Sequence, residues 1–169
     1  MYKLLTLCFL IVFGVILPEA ANAAVNKVVM RIDGMYCPFC TAPSERRIKK
    51  AMGASSAKMY LERGTLEFTM GQQTPFKPEA GIKKLGESNY KFIGMTVNAT
   101  GTLASDGSGL VLKVPENQIE FKIEESDEIT YKAKKALDAS SGKEVTVEGD
   151  YFQNPNNPQL PILKVYQAS

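Results

Sequence analysis

The sequence predicts an α+β fold, and three features of the chain indicate it. Residues 25–97 contain strand-like and helix-like segments in the order β-α-β-β-α-β. The short stretch Glu62–Gly64, between the second and third strand-like segments, is typical of a hairpin turn. After residue 97 the chain continues as short alternating β-like runs with a single helix-like segment. We therefore expect a split βαβ, or ferredoxin-like, unit followed by a small β-barrel.

The first strand and the first helix lie on either side of a loop that contains two cysteines. Residues 25–32 partly alternate between β-branched and polar side chains, which predicts a strand. The helix that follows is expected to end at Gly53. Proline is tolerated in a first helical turn but breaks a helix interior, so Pro43 predicts a helix start close to Cys40.

A hairpin, a short helix and a final strand complete the first unit. Alternating side chains predict strands at residues 56–61 and 65–70. The helix at Glu79–Leu85 is expected to end at Gly86, because glycine commonly terminates helices. The final strand is predicted at Tyr90–Val97.

The second unit is predicted to be rich in β-structure. Strands are expected at residues 109–114, 118–123, 143–148 and 160–166, with one helix at residues 129–137. Residues 150–159, which include Tyr151 and Phe152, contain two prolines and are predicted to form a loop. One helix between the third and fourth of about five strands indicates a barrel of OB type. No Pro/Gly/Ser linker separates the units, so we expect one strand to continue from the first into the second.

The first 23 residues match a secretory signal peptide. Lys3 provides the positive charge, Leu4–Leu17 is an apolar run of 14 residues, and Ala21–Ala23 is a small-residue cleavage motif. The run is shorter than the roughly 20 apolar residues of a membrane-spanning helix. We expect cleavage before Ala24 and a periplasmic or secreted protein that does not insert into the membrane; an uncleaved N-terminal anchor is the alternative. The predicted domains are residues 1–23, 24–97 and 98–169.

The composition argues against several classes of function. The chain has 20 Lys and Arg residues against 18 Asp and Glu residues, a net charge of +2 that does not indicate a nucleic-acid partner. It contains no histidine, so a Ser-His-Asp catalytic set cannot form. The sequence has no phosphate-binding loop motif. We therefore expect a binding protein and not an enzyme.

Two thiols carry the chemistry predicted for the exported chain. Cys8 lies within the predicted signal peptide, so only Cys37 and Cys40 remain after cleavage. A Cys-x-x-Cys pair at a strand–helix junction has three uses: a soft-metal site, a redox dithiol or a structural disulfide. Unpaired N–H groups at a helix start favour the thiolate, and two thiolates suit Cu(I) or Hg(II). A closed zinc site needs four ligands, of which this pair supplies two.

The sequence of residues 34–40, Gly-Met-Tyr-Cys-Pro-Phe-Cys, resembles the G-M-x-C-x-x-C motif of the heavy-metal-associated domain family. This family includes copper chaperones, the N-terminal domains of copper ATPases and periplasmic mercury-binding proteins. The resemblance covers residues 25–97 and continues in register at Glu45, Ile48, Gly53, Glu62–Thr65 and Ser88–Tyr90. It implies a ferredoxin-like fold for this region, whereas residues 98–169 resemble an OB-type barrel only weakly.

The resemblance also implies roles for four residues. Cys37 and Cys40 would ligate the ion, Met35 would pack beneath the loop, and Tyr90 would lie near the loop and tune the site. Cu(I) is the favoured ion, with Hg(II) and Zn(II) as alternatives. The ion would pass by thiolate exchange to a metal-transporting ATPase or another metal-binding protein, and an ion that bridges two copies of the chain is a further alternative.

We therefore expect an exported protein that captures and transfers a soft metal ion. The sequence Cys37–Cys40 (Cys-Pro-Phe-Cys) also resembles the active site of thioredoxin-type enzymes, so a periplasmic thiol–disulfide oxidoreductase is the alternative. A structural disulfide in a non-catalytic assembly module is the third interpretation. The basic residues Arg46, Arg47, Lys49 and Lys50 are predicted to lie on the exposed face of the first helix.

Overall fold

The computed structural model describes residues 23–34, 38–107 and 109–169, without the side chains of Pro38 and Cys40. These residues form a single eight-stranded sheet with three α-helices, which confirms the predicted α+β class. The predicted signal peptide lies outside the described residues, apart from Ala23. None of the helices described is long and apolar enough to cross a membrane.

The elements follow the predicted order. The first half of the chain contains β1 (Val25–Asp33), α1 (Pro38–Met52), β2 (Ala54–Tyr60), β3 (Thr65–Met70) and α2 (Pro78–Gly86). The second half contains β4 (Lys91–Ser105), β5 (Leu110–Val114), β6 (Ile119–Glu125), α3 (Tyr131–Ala139), β7 (Glu144–Phe152) and β8 (Ile162–Ala168). The strands and helices predicted from alternation and periodicity are therefore present, with shifted ends.

The first four strands lie in the order β2-β3-β1-β4, and each neighbouring pair is antiparallel. Helices α1 and α2 pack against each other. Alternate residues of the strands point into the core, among them Met30 of β1 and Phe68 of β3. Helix α1 adds Ile48 and Met52, which are both fully buried. Met30 and Met52 thus fill the core, as expected for flexible apolar side chains.

Strand β4 is shared by both halves of the chain and passes through the predicted boundary between residues 97 and 98. It pairs with β1 over its first part, with β7 along residues 96–102, and with β5 along residues 102–105. The other pairs are β5–β6, the parallel pair β6–β8, and β8–β7, so β4 to β8 pair in a closed circuit. A β-carbon on Gly101 would lie 2.5 Å from the Lys113 carbonyl oxygen, so β4 requires glycine where it meets β5.

The fully buried side chain of Asn117 ties the two halves together. It lies in a short 3-10 turn between β5 and β6. Its Oδ1 accepts a hydrogen bond from the Val25 N–H at 2.7 Å, and its Nδ2 donates to the carbonyls of Gly71 at 3.1 Å and Thr74 at 2.8 Å. Its own carbonyl accepts from the Phe76 N–H at 2.9 Å. The amide therefore satisfies three backbone groups that would otherwise be left unpaired.

The predicted loop at residues 150–159 begins later than expected, because β7 continues to Phe152. Tyr151 therefore lies in a strand and is buried. Its hydroxyl donates a hydrogen bond to Glu79 in the first turn of α2. Burial first, and then this bond to a carboxylate, raise the pKa of Tyr151 far above its ordinary value. A second polar contact therefore joins the two halves.

Replacing Asn117 by Ala is expected to lower the free energy of unfolding by roughly 2–4 kcal/mol, because it leaves buried backbone groups without partners. Urea denaturation followed by circular dichroism measures this change. The exposed Asn156 is the matched control, and Asn156→Ala is expected to change stability by less than about 0.5 kcal/mol. Equal effects of the two substitutions would contradict the role assigned to Asn117.

The raised pKa of Tyr151 predicts a loss of stability at high pH. In the unfolded chain this phenol ionises near its ordinary pKa of about 10, whereas in the folded chain it stays protonated, so stability falls as pH rises above that value. Tyr151→Phe is expected to remove this part of the pH dependence, measured as the urea midpoint between pH 9 and pH 11. Tyr131→Phe, at an exposed position, is expected to retain it.

Candidate metal centre

The structure describes the surroundings of the predicted thiol site more fully than the thiols themselves. Cys40 is the third residue of α1, and Tyr90 directly precedes β4. Met35, Cys37 and the side chain of Cys40 lie outside the described part of the chain. The distance between the two sulfur atoms, and the packing predicted for Met35, are therefore untested. We call residues 34–37 the thiol loop.

Gly34, the first residue of the thiol loop, has a left-handed backbone with φ of +95°. Its N–H donates a hydrogen bond to the Asp33 carboxylate at 2.8 Å. A β-carbon on Gly34 would lie 3.5 Å from the Asn89 carbonyl oxygen and 3.9 Å from Cδ1 of Tyr90. The half-buried Tyr90 ring thus lies beside the residue at which the thiol loop leaves β1.

Helix α1 begins at Pro38, two residues earlier than predicted from Pro43. Pro38 fits a first helical position, where a proline lacks only an N–H that has no partner in the helix. Pro43 is then the sixth residue and lies in the helix interior, where it removes one backbone hydrogen bond. The buried residues Ser44, Ile48 and Met52 recur at a spacing of four and pack this helix onto the core, which offsets that loss.

The first turn of α1 contains no acidic side chain. The positive end of the helix dipole is therefore not neutralised within its own first turn. A thiol near unpaired N–H groups at a helix start has a lowered pKa and reacts or binds metal as the thiolate. Cys40 is in this turn, and Cys37 immediately precedes Pro38, the first residue of the helix.

Helix α2 ends at Gly86, as predicted. Gly86 is its last helical residue, and the left-handed residue is Asn89, with φ of +61°. The Tyr90 N–H donates to the Leu85 carbonyl at 3.3 Å, and the Asn89 N–H donates to the Gly86 carbonyl at 3.1 Å. These two bonds, around a left-handed residue, form a Schellman motif. Asparagine tolerates this conformation. Asn89 was therefore a second sequence signal for the end of this helix, beside Gly86.

Helices α1 and α2 carry exposed basic side chains, which form a set that we call the basic helix face. Its members are Arg46, Arg47 and Lys50 of α1 and Lys83 and Lys84 of α2. Lys84 forms an ion pair of 2.6 Å with Glu87 and, mainly by this hydrogen bond, lowers the pKa of that carboxyl. The prediction of an exposed basic stretch is confirmed for α1, except that Lys49 is half-buried.

Phe39, between the two cysteines, is 92% exposed. A single exposed apolar side chain is common on protein surfaces, so this exposure does not by itself indicate a partner. Among the side chains described, no group of three or more Cys, Asp or Glu residues is close enough to hold a metal ion. The sulfur atoms of Cys37 and Cys40 are not among the described side chains, so this finding does not apply to them.

The sequence matches no family model, and it matches no curated protein and no solved structure at a significant level. The resemblance of residues 25–97 to heavy-metal-associated domains therefore stays a prediction.

Gly34→Ala is expected to lower the free energy of unfolding by about 1–2 kcal/mol, because a β-carbon is strained in a left-handed backbone. Thermal or urea unfolding of the metal-free protein measures this effect. The control is Gly86→Ala, at a position whose φ is not left-handed and whose β-carbon would meet no atom within 4 Å. That substitution is expected to raise stability by roughly 0.5 kcal/mol.

Proposed function

We propose that this protein is exported, holds a thiophilic metal ion between Cys37 and Cys40, and transfers it to another protein. The proposed ion is Cu(I), with Hg(II) and Zn(II) as alternatives. The observation that carries the proposal is the position of Cys40 in a first helical turn that has no acidic residue, beside a loop that starts at Gly34. Such a position favours a thiolate, the form that binds metal.

The finer description of the fold is part of this proposal. Residues 24–97 would form a ferredoxin-like unit, and the order β2-β3-β1-β4 with two helices supports it. Residues 98–169 would form an OB-like barrel that begins within β4. The closed circuit of β4 to β8, with β6 parallel to β8 and α3 between β6 and β7, supports this part.

The ligands available to the ion favour a low coordination number. The chain has no histidine. Four methionine sulfurs lie in buried side chains of the core, at Met30, Met52, Met70 and Met95. Two thiolates suit a monovalent or thiophilic ion and leave a closed zinc site incomplete.

Transfer then proceeds by ligand exchange. A thiolate of the acceptor bonds to the ion while the sulfur of Cys37 or Cys40 leaves it, so the charge of the ion and the number of thiolates are conserved. The acceptor would be a metal-transporting ATPase or another metal-binding protein, and two copies sharing one ion are the alternative. No bond of a substrate is broken, so the protein would act as a carrier and not as an enzyme.

The test is an anaerobic titration of the reduced, exported protein with Cu(I), Hg(II) and Zn(II) in competition with a chromophoric chelator. We expect one Cu(I) per chain, and we expect Cys37→Ser and Cys40→Ser to abolish stoichiometric binding while the circular dichroism spectrum is retained. Met59→Leu removes a half-buried sulfur and is expected to leave the stoichiometry unchanged.

The oxidoreductase alternative gives the opposite result. It requires the metal-free protein to turn over a disulfide substrate, with a reduction potential set by the thiolate leaving group. Folded, reduced protein that catalyses this exchange but ignores all three ions would contradict the proposed function.

A further inference from the structure

We propose that a cavity between the two halves of the chain binds a small aromatic amine in its ammonium form. This junction cavity has a volume of about 270 Å³ and lies between α2, the start of β4 and the end of β7. Its lining includes Glu79 and Ile82 of α2, Phe92 and Ile93 of β4, and Tyr151 and Phe152 of β7. None of these residues is a predicted metal ligand, so the inference does not rest on the proposed function.

The junction cavity lies where β4 and β7 separate. Their ladder ends at the pair of Thr96 and Asp150. Beyond this pair β7 continues beside β8 as far as Phe152, whereas the first residues of β4 follow β1. The Tyr151 hydroxyl bonds to Glu79 and holds β7 against α2, which closes one wall of the cavity.

A β-bulge turns one apolar side chain outward at the rim of the cavity. The ladder of β1 and β4 pairs Arg31 with Gly94 and Ile32 with Phe92, so Ile93 is an extra residue without an opposite partner. Bulges of this kind re-aim side chains and are common next to binding sites. The exposure of Ile93 is therefore a consequence of the strand geometry.

The walls of the cavity are mainly apolar and partly aromatic. Ile93 is 54% exposed and Phe152 is 46% exposed, and they belong to different strands. The half-buried Ile82 and Phe92 line the same cavity and pack against the core. Single exposed apolar residues are ordinary, but two that border one concave apolar surface between two parts of a chain are typical of a small-molecule site. Aromatic walls favour an aromatic ligand, because rings pack well against each other.

Glu79 determines the charge that the cavity accepts. It is the one charged residue among the described residues of the lining, and its side chain is exposed. Its Oε1 accepts the hydrogen bond of Tyr151, whereas its Oε2 has no hydrogen-bond or ion-pair partner in the part of the chain that the structure describes. A carboxylate oxygen beside apolar walls is complementary to an ammonium group on an apolar body, because such a charge-assisted hydrogen bond is strong.

Two cationic side chains lie near the cavity without lining it. The Arg31 guanidinium is next to Gly94, but it forms an ion pair of 3.5 Å with Asp150. The Lys164 ammonium lies over the Phe152 ring, 5.2 Å from its centre. The first charge is therefore balanced by a carboxylate and the second is engaged with a ring, which leaves Glu79 as the charge that a ligand meets inside the cavity.

The test is a titration of the reduced, metal-free protein with phenethylammonium at pH 7, followed by amide NMR. We expect saturable shifts of the amide signals of Ile93, Gly94 and Gln153, with a Kd on the order of 1 mM for so small a ligand. Two probes of similar size replace the ammonium group. The neutral 2-phenylethanol is expected to bind roughly tenfold more weakly, and the anionic 3-phenylpropionate is expected to give no saturable shifts.

Two variants separate the charge from the apolar walls. Glu79→Gln keeps an acceptor for Tyr151 and is expected to weaken phenethylammonium roughly tenfold while 2-phenylethanol stays within about twofold. Phe152→Ser is expected to weaken both probes. Glu87→Gln, at an exposed carboxylate beyond the other end of α2, and Tyr131→Ser, at an aromatic residue that is 83% exposed, are the matched controls and are expected to change neither affinity.

Circular dichroism checks that each variant is folded, and Ile93→Ser takes the place of Phe152→Ser if that variant does not fold. Several results would overturn the inference: no saturable shifts, shifts that map to another part of the chain, equal affinity for the three probes, tighter binding of 3-phenylpropionate, or wild-type affinity in Glu79→Gln. Cu(I) binding by Glu79→Gln and Phe152→Ser is expected to equal that of the wild type. The failure of either proposal is therefore visible without the failure of the other.

Discussion

The fold depends on one buried amide. Asn117 offers its carbonyl oxygen and both of its N–H groups to three backbone groups from the other half of the chain. A buried polar side chain is costly unless every group is paired, and here the pairing itself joins the two halves. Strand β4, which pairs with strands of both halves, makes the same junction along the sheet. The two halves of the chain are therefore joined without a flexible linker.

Helix α2 connects the second half of the chain with the region around Gly34. Its first turn accepts the hydrogen bond of Tyr151 from β7, and its last turn leads through Asn89 to Tyr90 and Gly34. Short helices are marginal on their own, so this one relies on packing at both ends. The second half of the chain thus packs against the helix that leads to Tyr90, although it contains none of the predicted ligands.

Side-chain period was sufficient to predict most of the fold, and the misses have physical reasons. Strand β4 was predicted to end at Val97. The alternation in fact continues beyond Val97, but it does so through the small residues Ala99 and Gly101, which are not typical strand residues. Pro38 is the proline that fits a first helical turn. Pro43 lies inside the helix, where the packing of α1 on the core offsets the hydrogen bond that a proline removes. Helix α2 ends at the predicted Gly86, but the left-handed residue after it is Asn89; both residue types tolerate that conformation, and the sequence does not specify which one adopts it. At the site, spacing identified Cys37 and Cys40 as candidates, but the separation of the sulfurs depends on backbone geometry that spacing does not specify.

The role of Asn117 was beyond sequence reasoning, because its partners are distant in the chain; the Val25 amide that it satisfies lies 92 positions away. This separation has a consequence for biogenesis. During synthesis the opening strand emerges long before the residue that completes it, and loop closure over such a length is slow. The hydrogen bonds of Val25, Gly71 and Thr74 to this side chain therefore form only after the middle of the polypeptide has been made.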